Sequence, residues 1–471
     1  MTHARVQRIQ DSVHGLMEFR GMESVVVELL RTPELQRLRR VRQLGLGHLV
    51  FPGAEHSRLS HSLGAAFVGI RFARQLQERA RDVFISALTP DDATVRDVAV
   101  GALCHDLGHG PLSHAWEREI VHHEFDRLKW CVSLELPADD ERLLKLKWHE
   151  LVGHGLLAWP DGQLHRLLEQ HEEGSVARIR ELLLGSYYIP YLPRLLSSDI
   201  DVDRSDFIRR DTHQTGVAYG RYDLDWLIST CGVGRLSRSD GQWVIGFDER
   251  KATRVVEQFL IARRAMYDTV YYHKTVRCAE GMVALFLRRL RQVIQEQGLP
   301  TLEALDFLRP MVRIIQGDAV APHELLRLDD FALSVLIENI AQSNIRDVTA
   351  RDLARRISAR DLFKIVHVTT EQIEKYFRSG HTLERLHEAI KPYCPGDPAY
   401  YFIMDETEFE MMSEEDAQKV CLLRNDGTAM FATQHPAFAS FQIKTALVRM
   451  FTLREAVPAV EAVISRPPPL G

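Results

Sequence analysis

The chain has 471 residues, of which 45% are hydrophobic and 26% are charged, so its composition is that of a folded protein and excludes a disordered or collagen-like chain. Its 59 Lys and Arg residues stand against 65 Asp and Glu residues, and the net charge of −6 argues against a surface that holds long nucleic acid or an acidic membrane. A prior of roughly 150 residues per domain suggests about three domains, although a large helical enzyme exceeds that size as one unit.

The start of the chain and its cysteines indicate a cytoplasmic protein. The polar opening from Met1 to Val13 predicts no secretory signal, and no apolar run reaches the roughly 18 residues that a membrane span needs. The six cysteines are scattered without a Cys-x-x-Cys pair, which favours reduced thiols. The 21 histidines are unevenly placed, because ten of them lie between His48 and His154. That concentration of imidazole is the first indication of a functional site.

Apolar periodicity predicts a mainly helical chain up to about residue 350. Thr32-Pro33 and Thr89-Pro90-Asp91-Asp92 are typical of helix starts, and apolar residues at helical spacing from Ser57 to about Glu78 predict a long helix between them. Further helices are predicted at 112–121, 149–158, 174–184, 200–211 and 249–297.

β structure is predicted in two places. The segment from Arg235 to Phe247 reads as a hairpin that turns at Asp240-Gly241. From about residue 360, short β-like runs alternate with two helices, and Asp426-Gly427 predicts a second hairpin turn. The predicted fold class is therefore mainly α, with residues 1–345 as a helical catalytic domain containing the small hairpin. Residues 346–471 are predicted to form a smaller C-terminal α+β lobe with a loose tail.

Three separated segments carry the candidate chemistry: Arg58-Leu-Ser-His61, His105-Asp106-Leu-Gly-His109-Gly-Pro-Leu-Ser-His114 and Asp201-Val-Asp203. Two histidines and two carboxylates converging from different helices would form a mixed nitrogen and oxygen pocket, which suits Fe, Mn, Zn, Ni or Co better than Ca. A metal in such a pocket supplies a nucleophile at neutral pH. Each segment alone has a plainer explanation, such as a solvent-facing histidine or a charged helix face. The occurrence of all three in helical contexts favours the metal site.

The chain also contains the motifs Asp11-Ser-Val-His-Gly-Leu-Met-Glu, Thr32-Pro-Glu-Leu-Gln-Arg-Leu-Arg, Gln43-Leu-Gly, Val50-Phe-Pro-Gly-Ala, His61-Ser-Leu-Gly and Asp201-Val-Asp-Arg. With these motifs the chain resembles the HD-domain phosphohydrolases, and within them the deoxynucleoside triphosphate triphosphohydrolase branch of SAM-and-HD-domain proteins and bacterial dGTPases. The resemblance is dense over 8–115 and 197–217, thinner over 255–277 and general beyond residue 346. It does not extend to a SAM domain.

The resemblance implies a fold built on an HD-domain helical core and four ligands for a divalent transition metal (Fe, Mn, Zn, Ni or Co), with a second ion such as Mg at the phosphates. It implies hydrolysis of dNTPs to deoxynucleoside and tripolyphosphate by attack of water on the α-phosphorus. The implied metal ligands are His61, His105, Asp106 and Asp203.

The same resemblance implies the residues that act on the substrate. His114 matches a general acid, a role that suits an imidazole, and Glu117 matches its carboxylate partner, where the relative compared has Asp. The remaining residues implied are His109, His149, Arg58 and Arg204 at the phosphates, the last replacing a Lys, Gln43 and Leu44 at the deoxyribose edge, and Asp211, Arg263 and Tyr271 at the sugar and base.

Two positions depart from the family pattern. Phe207 stands where relatives have a Tyr that hydrogen-bonds the substrate, so the requirement for deoxyribose stays open. Arg31 stands where activated relatives carry an acidic residue that reads guanine, so activation by GTP is not expected. A nearby group of arginines either binds an effector phosphate or forms a salt-bridged helix face, the second being favoured: Arg37, Arg39, Arg40 and Arg42.

The expected function is that of a metal-dependent nucleotide phosphohydrolase acting on dNTPs. A second interpretation keeps the metal site and changes the substrate to dinucleoside polyphosphates or to nucleoside mono- or diphosphates. A third is a non-catalytic nucleotide-binding regulator, against which the complete ligand set argues. Besides the nucleotide substrate we consider a nucleotide effector and expect a homo-oligomer, either a dimer or a tetramer. The native metal and the base preference stay open.

Overall fold

The computed structural model describes residues 6–80, 88–118, 125–237, 241–298, 305–412, 419–441 and 444–465, and the main-chain path alone for His114. Helices make up most of these residues, and the strands are short and few. The predicted mainly α class, with a hairpin and C-terminal strands added to a helical core, is confirmed.

The helices fall in chain order with few long interruptions. They are α1 (Val25–Leu29), α2 (Pro33–Arg37), α3 (Arg58–Ala80), α4 (Asp92–Cys104), α5 (His114–Trp116), α6 (Arg127–Ser133), α7 (Trp148–Ala158), α8 (Gln163–His171), α9 (Ser175–Leu183), α10 (Val202–Thr215), α11 (Leu224–Ser229), α12 (Glu249–Met266), α13 (Lys274–Gln297), α14 (Arg309–Ile315), α15 (Pro322–Leu325), α16 (Asp330–Gln342), α17 (Val348–Ser358), α18 (Thr370–Arg378), α19 (Leu383–Ile390) and α20 (Val457–Ser465). The strands are β1 (Gln7–Asp11), β2 (Gly15–Phe19), β3 (Cys231–Leu236), β4 (Trp243–Asp248), β5 (Lys364–Ile365), β6 (Phe402–Glu410), β7 (Cys421–Leu423), β8 (Thr428–Phe431) and β9 (Lys444–Thr452).

Three helices form the frame around which the site is built. Helix α3 packs against both α4 and α10. Each of the latter two begins with an aspartate cap, because Asp91 accepts a hydrogen bond from the backbone N–H of Thr94 at 2.7 Å and Asp201 accepts one from that of Arg204 at 2.8 Å. These caps fix where α4 and α10 start, and therefore which of their residues face α3.

The structure differs from the predicted elements in several places, and the helix predicted over 112–121 is described only as His114–Trp116. The helix predicted over 249–297 is interrupted by a π-helical segment, Tyr267–Tyr271, between α12 and α13. An N-terminal hairpin, β1 with β2, was not predicted, because both strands have only five residues and β1 is half-exposed and mostly polar. The long strand β9 was also not predicted. Asp240 of the first predicted turn lies outside the described residues, whereas Gly427 of the second turns with a φ of 80°.

The strands form three sheets. β1 pairs with β2, β6 and β5 flank β9, and the strands β3, β4, β7 and β8 close into a small ring. In that ring β4 runs parallel to β7, and β3 runs parallel to β8. Strands from the predicted domain 1–345 thus pair with strands from the predicted lobe 346–471. The division at that boundary stays a prediction, and its loose tail lies beyond the described residues.

One hydrophobic core runs through the described chain, from Met17 in β2 to Ile464 in α20. Within the described residues, no helix is both long enough and apolar enough to cross a bilayer.

Candidate active site

Four predicted metal ligands come from the three helices of the frame. His61 lies in the first turn of α3, His105 and Asp106 follow directly after the end of α4, and Asp203 lies in the first turn of α10. Because α3 packs against α4 and α10, these three helix ends meet.

The ligand atoms of these side chains lie within contact distance of one another. The Nε2 atom of His61 is 3.4 Å from Nε2 of His105 and 3.0 Å from Oδ1 of Asp203. His105 Nε2 is 3.5 Å from the same Asp203 oxygen. The carboxylate of Asp106 lies 3.3 Å from His105 Nε2 and 3.7 Å from His61 Nε2. The structure therefore brings all four residues together at one point.

The hydrogen bonds made by the Nδ1 atoms of His61 and His105 determine what can bind where the four side chains meet. Nδ1 of His61 lies 2.8 Å from the carboxylate of Asp206, and Nδ1 of His105 lies 2.6 Å from the carbonyl oxygen of Ala102. Since both acceptors take an N–H, each neutral ring presents an unprotonated Nε2 to the other ring and to two carboxylates. Two lone pairs and two carboxylates facing one point fit a cation, and the mixed nitrogen and oxygen set fits a divalent transition metal.

The charges of the cluster agree with that fit. Burial works against a charged imidazole, yet the hydrogen bonds to Asp203 and Asp206 raise the pKa of His61 to about 10. Burial likewise opposes a charged Asp203, but its hydrogen bonds from His105 and His61 hold its pKa below the usual range. Asp106 is also buried, and the guanidinium of Arg58 lowers its pKa well below normal. Positive charge on the imidazoles and negative charge on the carboxylates therefore stabilise each other within the cluster.

A cavity of about 790 Å³ opens over the cluster. Its volume is within the range that ligand pockets commonly have. The predicted substrate residues that line it are Gln43, Leu44, Arg58, His109, His149, Arg204, Asp211 and Tyr271.

Two arginines supply positive charge to the cavity wall. Arg58 donates to the carboxylate of Asp106 and, at 2.7 Å, to the hydroxyl of Ser113. Arg204 pairs with the carboxylate of Asp201, the residue that caps its own helix. Each guanidinium is thus held in place by an acid next to the cluster, while it still borders the cavity where a phosphate would bind.

A second group of titratable side chains lies beside the first. The rings of His109 and His149 stack with their centroids 4.0 Å apart, and Glu117 approaches both, at 3.2 Å from Nδ1 of His109 and 2.8 Å from Nδ1 of His149. Burial opposes the charge of Glu117, but these hydrogen bonds hold its pKa below the usual range. The trio has ligand atoms within 4.8 Å of one another, so it could also hold an ion. Glu117, predicted as the partner of His114, therefore contacts two other histidines, and the side chain of His114 lies outside the described part.

The backbone of the turn after α4 explains why His149 lies so close to His109. A Cβ at Gly108 would stand 1.9 Å from the carbonyl oxygen of His149 and 2.4 Å from the backbone nitrogen of Gly153. Only glycine permits α7 to approach the turn this closely. Leu112 and Ser113, just beyond the turn, adopt left-handed backbone conformations with φ of 51° and 52°.

The predicted sugar contacts form a hydrogen-bonded group on another wall. Asp211 accepts a hydrogen bond of 2.7 Å from the hydroxyl of Tyr271 and lies 2.8 Å from Nε2 of His56. Tyr271 ends the π-helical segment, whose extra residue changes the direction of the side chains after it. Phe207 packs edge-on against Tyr271, with ring centroids 5.8 Å apart, and Phe207 itself has no hydroxyl to offer a substrate.

Arg263 is not among the residues lining this cavity. It lines a smaller neighbouring cavity of about 210 Å³ together with Arg204 and Tyr267. Its guanidinium is 3.3 Å from the carboxylate of Asp199 and 3.2 Å from the carbonyl oxygen of Met411. Its predicted role beside the base therefore stays a prediction.

The arginines at the end of α2 and just after it contact protein groups. Arg40 pairs with Asp329, and Arg42 pairs with Glu55. Arg37 is buried and donates to three carbonyl oxygens, of Leu107, His109 and Leu328. These contacts agree with the salt-bridged interpretation of the arginine group.

Sequence reasoning missed three residues behind the cluster: Asp206, which contacts His61, and Arg210 and His14, which contact Asp206. Asp203, Asp206 and Arg210 follow one another at helical spacing, so they share one face of α10, and that spacing was the signal that could have found two of them. His14 lies 192 residues from Asp206, and sequence spacing carries no signal for that contact.

Two segments of the chain match known protein families. Residues 58–157 match the HD domain, and residues 233–308 match the HD associated region. Protein YwfO of Bacillus subtilis, which is uncharacterized, is 27% identical over 89% of this chain and 85% of its own length. The bovine deoxynucleoside triphosphate triphosphohydrolase SAMHD1 is 24% identical over 86% of this chain, which spans only 65% of that protein. The crystal structure of a phosphohydrolase from Bacteroides thetaiotaomicron has the same fold, with a TM-score of 0.68, 22% identity and coverage of 96% of this chain and 100% of that one.

Proposed function

We propose that the chain is an HD-domain phosphohydrolase that hydrolyses nucleotides with a divalent metal held by His61, His105, Asp106 and Asp203, and the match of residues 58–157 to the HD domain supports this. We further propose that its substrates are dNTPs, which it converts to deoxynucleoside and tripolyphosphate. The observation that carries the proposal is the convergence of two imidazole Nε2 atoms and two carboxylates beneath a cavity bordered by Arg58 and Arg204.

The residues of the chain divide the work of this reaction. A transition metal bound at the cluster would activate water for attack on the α-phosphorus. Arg58 and Arg204 bind phosphate oxygens and hold the triphosphate over the cluster. Glu117 orients His109 and His149 towards the phosphates through their Nδ1 atoms, and Asp211 with Tyr271 binds a sugar hydroxyl. His114 donates the proton that the leaving 5′-oxygen needs.

A second substrate class is favoured by two observations. Phe207 offers no hydroxyl to the substrate, and the cavity continues between α7 and α9, where Lys147, His154 and Leu182 line it. Dinucleoside polyphosphates, which carry a second nucleoside beyond the phosphates, would use that additional space. Nucleoside mono- and diphosphates are the smaller members of this alternative.

A product assay tests the proposal. Purified protein is incubated with Mn²⁺, Fe²⁺ or Mg²⁺ and with dNTPs, NTPs, mono- and diphosphates and dinucleoside polyphosphates, and the products are separated by ion-exchange chromatography. Release of tripolyphosphate from dNTPs supports the leading proposal, whereas release of a mononucleotide from a dinucleotide supports the second. His105→Ala and Asp203→Ala should each lose metal and activity, while the exposed-site control His171→Ala should keep both. Full activity of a metal-free His105→Ala and Asp203→Ala double variant would refute the site.

The remaining proposals concern the location, the bound ions and the assembly of the protein. The six cysteines all lie in the described part of the chain and form no disulfide bond with one another there, which supports the proposed cytoplasmic location. We also propose a magnesium ion at the phosphates, a nucleotide effector and assembly as a dimer or tetramer. Metal analysis of the purified protein would identify the native metal, and size-exclusion chromatography would give the number of subunits.

A further inference from the structure

The N-terminal hairpin reaches the ligand cluster through two buried hydrogen bonds. His14, in the turn between β1 and β2, lies with Nε2 2.6 Å from Oδ1 of Asp206. The other oxygen of Asp206, Oδ2, lies 2.8 Å from Nδ1 of His61. The side chains of His14 and Asp206 are 1% and 0% exposed. His14, in the turn between β1 and β2, is therefore connected to the predicted metal ligand His61 through the carboxylate of Asp206.

Asp206 has a full set of partners in this position. Arg210, one turn further along α10, donates from Nε to Oδ2 at 2.8 Å and from Nη2 to Oδ1 at 2.9 Å. The Nη1 of Arg210 donates at 2.9 Å to Asp11, which ends β1. The hairpin thus contacts this carboxylate directly through His14 and indirectly through Asp11. Because a charged buried carboxylate is costly without partners, both contacts stabilise the ionised form that His61 needs.

Helix α3 has a glycine at the point where it meets the carboxylate of Asp206. Gly64 lies one turn after His61 on α3, and a Cβ at this position would stand 1.9 Å from Oδ1 of Asp206 and 2.4 Å from Nη2 of Arg210. No rotation of a side chain at position 64 relieves that overlap, since the Cβ is fixed by the backbone. The motifs Asp11-Ser-Val-His14 and His61-Ser-Leu-Gly64 therefore meet at Asp206, although they lie about 50 residues apart in the chain.

We propose that His14 and Asp206 are positioning residues for the metal ligand His61, so that the N-terminal hairpin belongs to the metal site. Asp206 accepts the Nδ1–H of His61 and leaves Nε2 unprotonated towards Asp203, and His14 holds the orientation of the Asp206 carboxylate. This inference rests on the proposed metal site. It does not depend on which nucleotide is hydrolysed.

Metal affinity tests the inference without an activity assay. Co²⁺ is titrated into the metal-free full-length protein, and its visible absorption spectrum is followed in competition with a chelator. His14→Ala and Asp206→Asn should each weaken Co²⁺ affinity by about 10- to 100-fold and alter the spectrum, the size of effect seen when a partner of a metal-bound histidine is lost. His14→Gln keeps an N–H donor near the Nε2 position and should restore most of the affinity.

A matched control separates positioning from packing. The ring of Phe67 packs against that of His14, with centroids 5.8 Å apart, and it makes no hydrogen bond to Asp206 in the described structure. Phe67→Leu should lower thermal stability and leave Co²⁺ affinity and spectrum unchanged. If Phe67→Leu weakened Co²⁺ binding as much as His14→Ala, or if a folded Asp206→Asn bound Co²⁺ like the unaltered protein, the inference would be wrong. Should His14→Ala not fold, the comparison of His14→Gln with Asp206→Asn decides, because equal affinities contradict the proposal.

Failure of this inference and failure of the proposed nucleotide hydrolysis would give different results in these experiments. A protein that binds Co²⁺ tightly, loses that affinity in Asp206→Asn, and hydrolyses no nucleotide would refute the proposed reaction and leave this inference intact. A protein that binds no Co²⁺ at all would refute both.

Discussion

At the scale of single residues, the hydrogen bonds behind the imidazoles matter as much as the ligand atoms themselves. Asp206 and the carbonyl oxygen of Ala102 each occupy an Nδ1, and this leaves the Nε2 atoms of His61 and His105 facing each other. The apolar stripe on α3 places His61 on the polar side of that helix, where a lone helix would expose it. In the structure α10 covers this side, and His61 is fully buried.

The replacement Gly64→Ala tests the space around Asp206. We expect it to lower the free energy of unfolding by about 1–3 kcal/mol, the usual cost of overpacking a filled site, and to weaken metal binding because Asp206 must move. The matched control is Gly69→Ala on the same helix, where a Cβ would be 3.4 Å from Val98, an ordinary contact. Gly69→Ala should be neutral or stabilising by up to about 1 kcal/mol. Urea unfolding of both variants provides the comparison, and equal effects would contradict the argument.

His154 gives a prediction about pH. Burial, together with the nearby charge of Arg180, lowers the pKa of His154 to about 3. Its Nδ1 has no hydrogen-bond partner among the described residues. A histidine with a depressed folded-state pKa binds its proton better in the unfolded chain, so stability is lost as pH falls below about 6.5.

At about 1.4 kcal/mol per pKa unit, His154 should cost about 1 kcal/mol of stability between pH 7 and pH 5.5. His154→Leu should lack this contribution, whereas the surface control His171→Leu should lose stability as the unaltered protein does. Chemical unfolding at the two pH values measures the difference. An identical pH dependence in His154→Leu would mean that this imidazole is protonated within the fold.

At the scale of elements, the last residue of α2, Arg37, supports the turn that carries His105 and Asp106. Arg37 donates to the carbonyl oxygens of His109 at 2.7 Å and of Leu107 at 2.5 Å, and to that of Leu328 at 2.8 Å. A single buried guanidinium therefore joins the turn to the chain before α16. Asp330, the first residue of α16, accepts hydrogen bonds from the backbone N–H groups of Leu112 and Arg42 at 2.8 and 2.9 Å.

Arg37→Met should lower the free energy of unfolding by about 3 kcal/mol, because it leaves three buried carbonyl oxygens without their donor. The turn that carries Asp106 should become less ordered, and metal affinity should fall with it. Arg39→Met is the control, because Arg39 is exposed and donates only to the neighbouring Gln36 among the described contacts. Guanidinium chloride unfolding and metal titration of the two variants test this, and a stable Arg37→Met would show that water replaces the donor.

At the scale of the whole molecule, the ring of β3, β4, β7 and β8 joins residues that the sequence assigns to separate domains. Five buried side chains fill the inside of this ring: Leu236, Val244, Cys421, Ala429 and Phe431. A fragment of residues 1–345 would expose the first two and lose the pairing of β3 with β8 and of β4 with β7, while β3 and β4 could still pair with each other. We expect this fragment to melt at a lower temperature than the whole chain and to aggregate, and co-expression with 346–471 to restore its solubility. An unchanged melting temperature would support two independent domains.

Metal binding should also stabilise the whole fold, since the proposed ligands come from three helices that the metal would join. At a concentration of Mn²⁺ about 100 times its dissociation constant, the gain is about 2.7 kcal/mol. Thermal unfolding should therefore shift upwards with Mn²⁺ and return on addition of a chelator. His105→Ala should show no such shift, and a shift of equal size in that variant would place the stabilising ion elsewhere.

The mainly helical class, the long helix after Ser57, the helix starting at Asp92 and the three segments that form the cluster could all be predicted from the sequence. These depend on apolar periodicity and on capping side chains, which are local properties that a single sequence displays. The interruption at Tyr267–Tyr271, the hairpin of β1 and β2, and the pairing of Glu117 with two histidines were not predicted. Neither apolar periodicity nor capping displays a π-helical interruption, a hairpin of two five-residue strands or a contact between side chains of different elements.

The residue types that could bind a metal, and their order, were determined by the sequence alone. Only the tertiary structure decided which nitrogen of each imidazole faces the cluster, and that His14 and Gly64 meet at Asp206. The physical reason is that periodicity reports which side of a helix is apolar, while hydrogen bonds between distant segments depend on how the helices pack. The packing of α10 against α3 is what turns a polar helix face into a buried site.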